Sequence, residues 1–269
     1  LSLSLEKDLQ RITENNLETI FGLSFVSSEF SLRQFRIDTL AFDEELSAFV
    51  VIEYKRDKSF NIVDQVYAYL ALMLNNKADF ILEYNEKKKG NLKREDIDWS
   101  QSKVLFLASS FTSYQQNAIN FKDLPIELWE IKKYDNQTIL YNQLKSAETK
   151  ESIKTISKDK TIEKVSREVK KYSLDYHFRE GWDNSRDLFD ILKDKIFELD
   201  NNIEEKINKY YIGFKMSSLK WNLCVVHIYM SKLELNLIRV DKEDLKDPEG
   251  KIVKIPWKER EWGKSCNYI

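Results

Sequence analysis

Asp38, Glu53, Lys55, Gln65 and Tyr69 fall within one run, RQFRIDTLAFDEELSAFVVIEYKRDKSFNIVDQVYAYLALM, from Arg33 to Met73. A lone carboxylate, then Glu-x-Lys, then a glutamine and a tyrosine four positions apart suit a hard divalent cation held beside a phosphodiester. Phosphodiester hydrolysis needs a water activated near neutral pH and a developing negative charge neutralised, and a carboxylate-bound cation supplies both. Mg²⁺ prefers oxygen and keeps several of its waters, so one or two carboxylates and a backbone carbonyl suffice to hold it. Lys55 is the group to orient or deprotonate the attacking water, or to stabilise the charge that builds on phosphorus.

The elements that must position these groups can be read from the same run. Phe35 to Phe42 and Ala48 to Tyr54 are apolar enough for inner strands of a sheet covered on both faces, and Asp43 to Leu46 is the turn between them. That turn sets Asp38 across from a residue between Val51 and Glu53. Two carboxylates so close repel unless a cation or a shared proton lies between them. Alternation along the strand puts Glu53 and Lys55 on one face and Tyr54 on the other. A helix from Asn61 to Leu74 then carries Gln65 and Tyr69 on a common face. Glu-x-Lys by itself is weak, since a strand end reaching solvent gives the same pattern in a chain with 33% charged residues. The apolar strand leading into it, and the Asp on the paired strand, make it specific.

Elsewhere the pattern predicts a helix over Leu5 to Phe21, capped by Ser4 and Gly22, and an extended piece over Phe25 to Phe30. A strand is expected at Asp79 to Tyr84, followed by a basic loop from Lys87 to Arg94. Next come a buried strand at Val104 to Ala108, a helix at Thr112 to Phe121, and a hairpin of Ile126 to Tyr134 with Thr138 to Leu144. This predicts an α/β domain over 1–145, a mixed sheet flanked by helices. The stretch 146–171, rich in Lys and Arg, reads as a polar connector that is partly helical. A smaller α+β domain over 172–269 is expected to hold a long helix from Leu188 to Ile207. Strands follow at Tyr210 to Met216, Trp221 to Met230 and Lys232 to Val240, the last with Leu233, Leu235 and Leu237 inward and Glu234 and Asn236 outward.

Composition narrows the function classes. With 269 residues, 42% hydrophobic, and few Gly (6) or Pro (3), the chain is globular material built of helices and long strands. A net charge of -2 excludes a wholesale polycation, so any nucleic-acid surface is a local patch. Cys224 and Cys266 are the only cysteines, which fits a reducing cytoplasm better than a disulfide framework. The two histidines, His177 and His227, lie far apart in sequence, which speaks against a His-rich metal site, and His227 reads as a core or half-buried residue. No run reaches the length of a membrane span and no secretory signal opens the sequence. Candidate phosphate contacts are Arg56 and Lys58 beside the proposed metal, and Lys87, Lys88 and Lys89 in the basic loop. Trp257 and Trp262 could stack on bases, although such residues more often pack a domain edge.

Asp38 with Glu53-Tyr54-Lys55 resembles the signature of the PD-(D/E)XK nuclease superfamily, and Gln65-Val66-Tyr67-Ala68-Tyr69 resembles the QxxxY helix of several of its branches. The run is most similar to the NucS-like branch, over roughly Leu5 to Leu144. The resemblance implies a restriction-endonuclease-like core and a metal-dependent DNA endonuclease of repair, restriction or defence. A catalytically inactive nucleic-acid-binding or regulatory protein on the same scaffold is the alternative. It implies Mg²⁺ or Mn²⁺ bound by Asp38, Glu53 and the Tyr54 carbonyl, with Lys55 catalytic and Gln65 and Tyr69 at the site. It also implies a first-helix glutamate, for which Glu6 is the best positional match and Glu14 the competitor. DNA is the implied partner, and a homodimer is the assembly to test. The proline of the family name is absent, because Ile37 precedes Asp38. By the same resemblance the N-terminal DNA-binding domain of NucS enzymes is expected to be missing, and the last domain resembles a small domain of unknown function often attached to such nuclease-like domains. Members of the family continue past the region matching Trp262-Gly263, so the sequence is read as ending early.

Overall fold

A computed structural model describes residues 6–55, 61–121, 124–136, 138–145, 152, 160–216, 219, 221–238, 240, 246, 250, 254–255 and 267–268. The chain divides into two compact units, Leu1–Lys171 and Tyr172–Ile269.

The first unit opens with α1 (Glu6–Asn15) and α2 (Leu17–Phe21), then β1 (Ser24–Leu32), β2 (Phe35–Asp43) and β3 (Ala48–Lys55). It continues through α3 (Ile62–Asn75), α4 (Lys77–Lys88), β4 (Lys103–Ala108), α5 (Ser113–Asn117), β5 (Ile126–Lys133), β6 (Ile139–Gln143) and α6 (Lys160–Glu168). The strands form one mixed sheet in the order β1-β2-β3-β4-β5-β6. β3 pairs parallel with β4 and β4 parallel with β5, while the other neighbours run antiparallel. This is the α/β architecture that the sequence predicts.

β3 is buried along almost its whole length because both faces of the sheet are covered. On one face Phe42, Phe49, Val51, Val104 and Phe106 pack with Val66, Leu70 and Met73 of α3 and Phe80 of α4. On the other, Ala41, Val50, Ile52, Tyr54 and Leu105 pack with Leu9 of α1 and Leu17 of α2. The β2–β3 turn is closed by Asp43, whose Oδ1 accepts from the backbone N–H of Glu45 (3.1 Å) and Leu46 (3.0 Å). Asn61 caps α3, its side chain accepting from the Asp64 N–H. Gly22, at φ 69°, ends α2 in the left-handed conformation a C-cap favours.

Several elements depart from the sequence pattern. The first helix breaks at Asn16, whose side chain turns back to bond the Ile12 carbonyl at 2.8 Å. Ser4 lies outside the described residues. The extended piece after it is longer than expected and forms β1. Asp79 to Tyr84 is helical, within α4, and not a strand. Its Phe80 and Tyr84 are four apart, so both reach the core side, Phe80 against Phe30 and Phe49, Tyr84 against Phe42. The helix over Thr112 to Phe121 shortens to α5, capped by Thr112, followed by a 3₁₀ turn.

The basic stretch after residue 145 is only partly connector. Ile162 and Val165 of α6, and Val169 just beyond it, are buried in the core beside α3. Polar bonds hold the same segment. Lys164 Nζ donates to Asn75 at 2.7 Å, Lys77 Nζ to Glu168 at 2.8 Å, and Lys171 Nζ to the Ile119 carbonyl at 3.0 Å. The helical part of the stretch is thus amphipathic, and its charge concealed the apolar stripe that packs in the core.

The second unit holds α7 (Leu174–His177), α8 (Asp183–Phe197), β7 (Ile203–Ile207), β8 (Ile212–Met216), β9 (Cys224–Ile228), β10 (Leu233–Ile238), β11 (Lys254–Ile255) and β12 (Asn267–Tyr268). Its antiparallel sheet has the order β11-β12-β10-β9-β8-β7, with Phe189 and Ile196 of α8 packed on Ile212, Phe214 and Val226. The helix expected to reach Ile207 stops at Phe197, because the Asp200 carboxylate accepts from the Asn202 N–H at 2.7 Å and turns the chain into β7. Asn236, expected to face solvent, is 5% exposed. Among the described residues no helix is long and apolar enough to cross a membrane.

Candidate functional site

The paired register of β2 and β3 runs from Asp43–Ala48 to Thr39–Ile52 and ends there. One step further, side chains replace backbone pairing. The Asp38 N–H donates to Glu53 Oε1 at 3.4 Å, and the Tyr54 N–H donates to Asp38 Oδ2 at 3.1 Å. The two carboxylates therefore face each other across the splayed end of the hairpin. Lys55 Nζ sits 3.1 Å from Glu53 Oε2 and is itself only 19% exposed. The site stands at the C-terminal ends of the parallel strands β3 and β4, where Lys55 is in register with Ala108. In open α/β sheets that is the edge at which ligands bind.

Electrostatics follow from this packing. Burial, and then the Asp38 charge, push the Glu53 carboxyl up to about 7, against the pull of Lys55 and a hydrogen bond from Tyr69. Asp38 is raised as well, by burial, while the Tyr54 N–H, Lys55, Glu53 and Arg36 pull it down. Tyr69 is raised by burial and by the charge of Glu53, so its hydroxyl stays protonated and remains a donor; it also reaches the Arg36 carbonyl at 3.4 Å. Gln65, one turn earlier on α3, has a buried Oε1 without a hydrogen-bond partner.

Does this donor set fit a divalent cation? All the donors are oxygen, the two acids repel, and Gln65 offers an unsatisfied acceptor, so a hard ion such as Mg²⁺ fits. Among the described residues no group of three or more His, Cys, Asp or Glu could hold an ion. Two carboxylates would have to be completed by a backbone carbonyl, such as that of Tyr54, and by water.

The other expected residues are distributed differently. The Glu6 side chain, Arg56, Lys58, Trp257 and Trp262 lie outside the described residues. Glu14 is on the opposite face of the sheet from Asp38, its Oε1 accepting from Thr39 at 2.6 Å, so it does not join the two carboxylates. Lys87 and Lys88 end α4 and Lys89 is its left-handed cap. Arg33 holds Asn76 at the start of α4, whereas the Tyr84 hydroxyl near its end bonds Glu44 in the β2–β3 turn. That turn is the far end of the hairpin, about 17 Å from Asp38 at the rise of an extended strand, so these lysines are not brought to the site. Arg36, absent from the sequence reading, acts on Asp38. Being two positions earlier on the same strand, it shares that face, and period-two spacing alone could have found it.

His227 is half-buried, as expected. His177 and His227 come within electrostatic range despite their separation in sequence. Burial lowers His177, the Asn208 carbonyl at 2.7 Å raises it, and His227 lowers it. Cys224 is buried, which pushes its thiol up to about 11.

No family model matches the chain. It is 44% identical over 247 residues to an uncharacterized protein of Haemophilus influenzae, a match covering 91% of this chain and 80% of that protein. The chain belongs to the family of that protein. Among solved structures it is similar to a chain in the structure of an EndoMS–dsDNA2 complex, with a TM-score of 0.32 and 18% identity, over 50% of this chain and 49% of that one.

Proposed function

We propose that this protein is a metal-dependent nuclease that hydrolyses phosphodiester bonds in DNA. The observation that carries the reading is the convergence of Asp38, Glu53 and Lys55 in a half-buried notch where the strands part. Asp38, Glu53 and the Tyr54 carbonyl would hold Mg²⁺ or Mn²⁺, which when bound supplies an activated water and neutralises charge on the phosphate. Lys55, whose Nζ stands 3.1 Å from Glu53 Oε2, would orient the water or meet the developing negative charge. Tyr69, a protonated donor, fixes the Glu53 carboxylate, and Gln65 would offer its buried Oε1 to the ion or to a water held on it. Glu6, Arg56 and Lys58 are carried as candidate contributors, and a homodimer as the candidate assembly. A cytoplasmic setting suits the buried, unreactive thiol of Cys224.

Plasmid nicking with Mg²⁺ or Mn²⁺ tests the proposal. Wild type is expected to convert supercoiled DNA to open-circle or linear forms. Asp38→Ala and Lys55→Ala are each expected to lower the rate by about a hundredfold or more, the scale of losing one electrostatic or acid–base group. Activity surviving both substitutions would rule out this site. Retained DNA binding without cleavage of any form would instead mark a binding or regulatory protein built on the same scaffold.

A further inference from the structure

Asp38 is missing from the backbone pairing on both sides. The β2–β3 register stops at Thr39, and the β1–β2 register passes from Ser28–Thr39 to Phe30–Ile37 without pairing Glu29 with Asp38. Glu29, which would stand opposite, has φ 52°, a left-handed conformation within β1 that is uncommon for a residue other than glycine. Gln10 of α1 reaches this stretch of backbone, its Nε2 lying 2.8 Å from the Asp38 carbonyl. The same nitrogen is 3.0 Å from Ser28 Oγ and 3.0 Å from Glu14 Oε1. A carbonyl and a carboxylate only accept, so the amide nitrogen and not its oxygen must face them. Gln10 is 8% exposed, which leaves water little access to take its place.

We propose that Gln10 is a positioning residue of the site. Its amide grips the Asp38 backbone from the opposite face of the sheet and so fixes where the Asp38 carboxylate stands relative to Glu53. Glu14 and Thr39 continue the grip, since Thr39 Oγ1 donates to Glu14 at 2.6 Å and lies 3.3 Å from the Tyr54 hydroxyl. Both Asp38 and Tyr54, whose carbonyl is the candidate third ligand, are thus tied to α1 by side chains that never enter the notch. The inference rests on the cation-binding reading above and concerns how tightly the carboxylate pair is set.

The test is Mn²⁺ affinity, followed by loss of the free-ion EPR signal, in the full chain. Gln10→Leu removes the donor and is expected to weaken Mn²⁺ binding about tenfold, at the low end for partners that orient metal ligands. Asn16→Ala breaks a different α1 bond, Asn16 Nδ2 to the Ile12 carbonyl at 2.8 Å, and is expected to lower thermal stability while leaving Mn²⁺ affinity unchanged. Unchanged affinity in Gln10→Leu, or equal weakening in both variants, would show general support of the fold and overturn the proposal. If Gln10→Leu does not fold, Mg²⁺ titration of the unaltered protein by NMR decides. The Gln10 side-chain amide is expected to shift with the same midpoint as the Asp38 backbone amide, and a stationary Gln10 signal would overturn the proposal. Failure of wild type to bind Mn²⁺ at all would remove the cation reading itself, a result separable from the others because it appears before any substitution is made.

Discussion

Glu53 is the residue on which the chemistry and the pH behaviour both turn. It is 2% exposed, and its carboxyl is pushed up to about 7 from 4.5. The folded state therefore holds a proton that the unfolded chain releases, so Glu53 costs stability progressively as pH rises from about 4.5 to about 7, and fully above that. The cost is at most about 3 kcal/mol. Glu53→Gln keeps the shape of the protonated acid without its charge. In metal-free protein it is expected to raise the unfolding midpoint in urea at pH 8 and to leave it nearly unchanged at pH 5, while abolishing Mn²⁺ binding. Equal effects at both pH values would mean that Glu53 ionises like a surface acid. The pairing of Asp38 with Glu53 was legible because the turn at Asp43 fixes the register, and Lys55 because alternation puts it beside Glu53. Gln10 was not legible. Its role depends on a bond from α1 to a backbone carbonyl 28 positions away, which no residue spacing encodes.

At the scale of elements, legibility followed length and surroundings. β3 was readable as a short, β-branched apolar run bounded by a turn and by charges, and α3 from its length and its Asn61 cap. Asp79 to Tyr84 is too short for its apolar residues to tell a strand from a helix, and the packing of Phe80 and Tyr84 on the sheet decided it. In α6 the spacing of Ile162, Val165 and Val169 carries a helical stripe, but the surrounding lysines gave the segment the composition of a connector. Its burial extends the first unit to Lys171, so a domain cut at 145 would strip these side chains from the core. The placement of α4 makes a separate prediction. Changing Lys87, Lys88 and Lys89 together to Ala is expected to leave the single-turnover cleavage rate at saturating DNA unchanged, since the end of α4 lies at the far turn of the hairpin. A lowered rate would mean that these lysines reach the reacting phosphate.

For the whole molecule, the two pressed carboxylates behave as a compressed spring built into the fold. Burial of the two acids, and then the charge they share, work against the native state above about pH 7, and any ion that bridges them stabilises it through mass action. Melting curves at pH 8 are expected to move upward with added Mn²⁺ or Mg²⁺ and to move little at pH 5, where Glu53 is already neutralised by its proton. Asp38→Asn is expected to flatten the response at pH 8. The fold thus reports on its own ion: a panel of divalent salts in a thermal-shift experiment would rank the physiological candidates before a single oligonucleotide is tried.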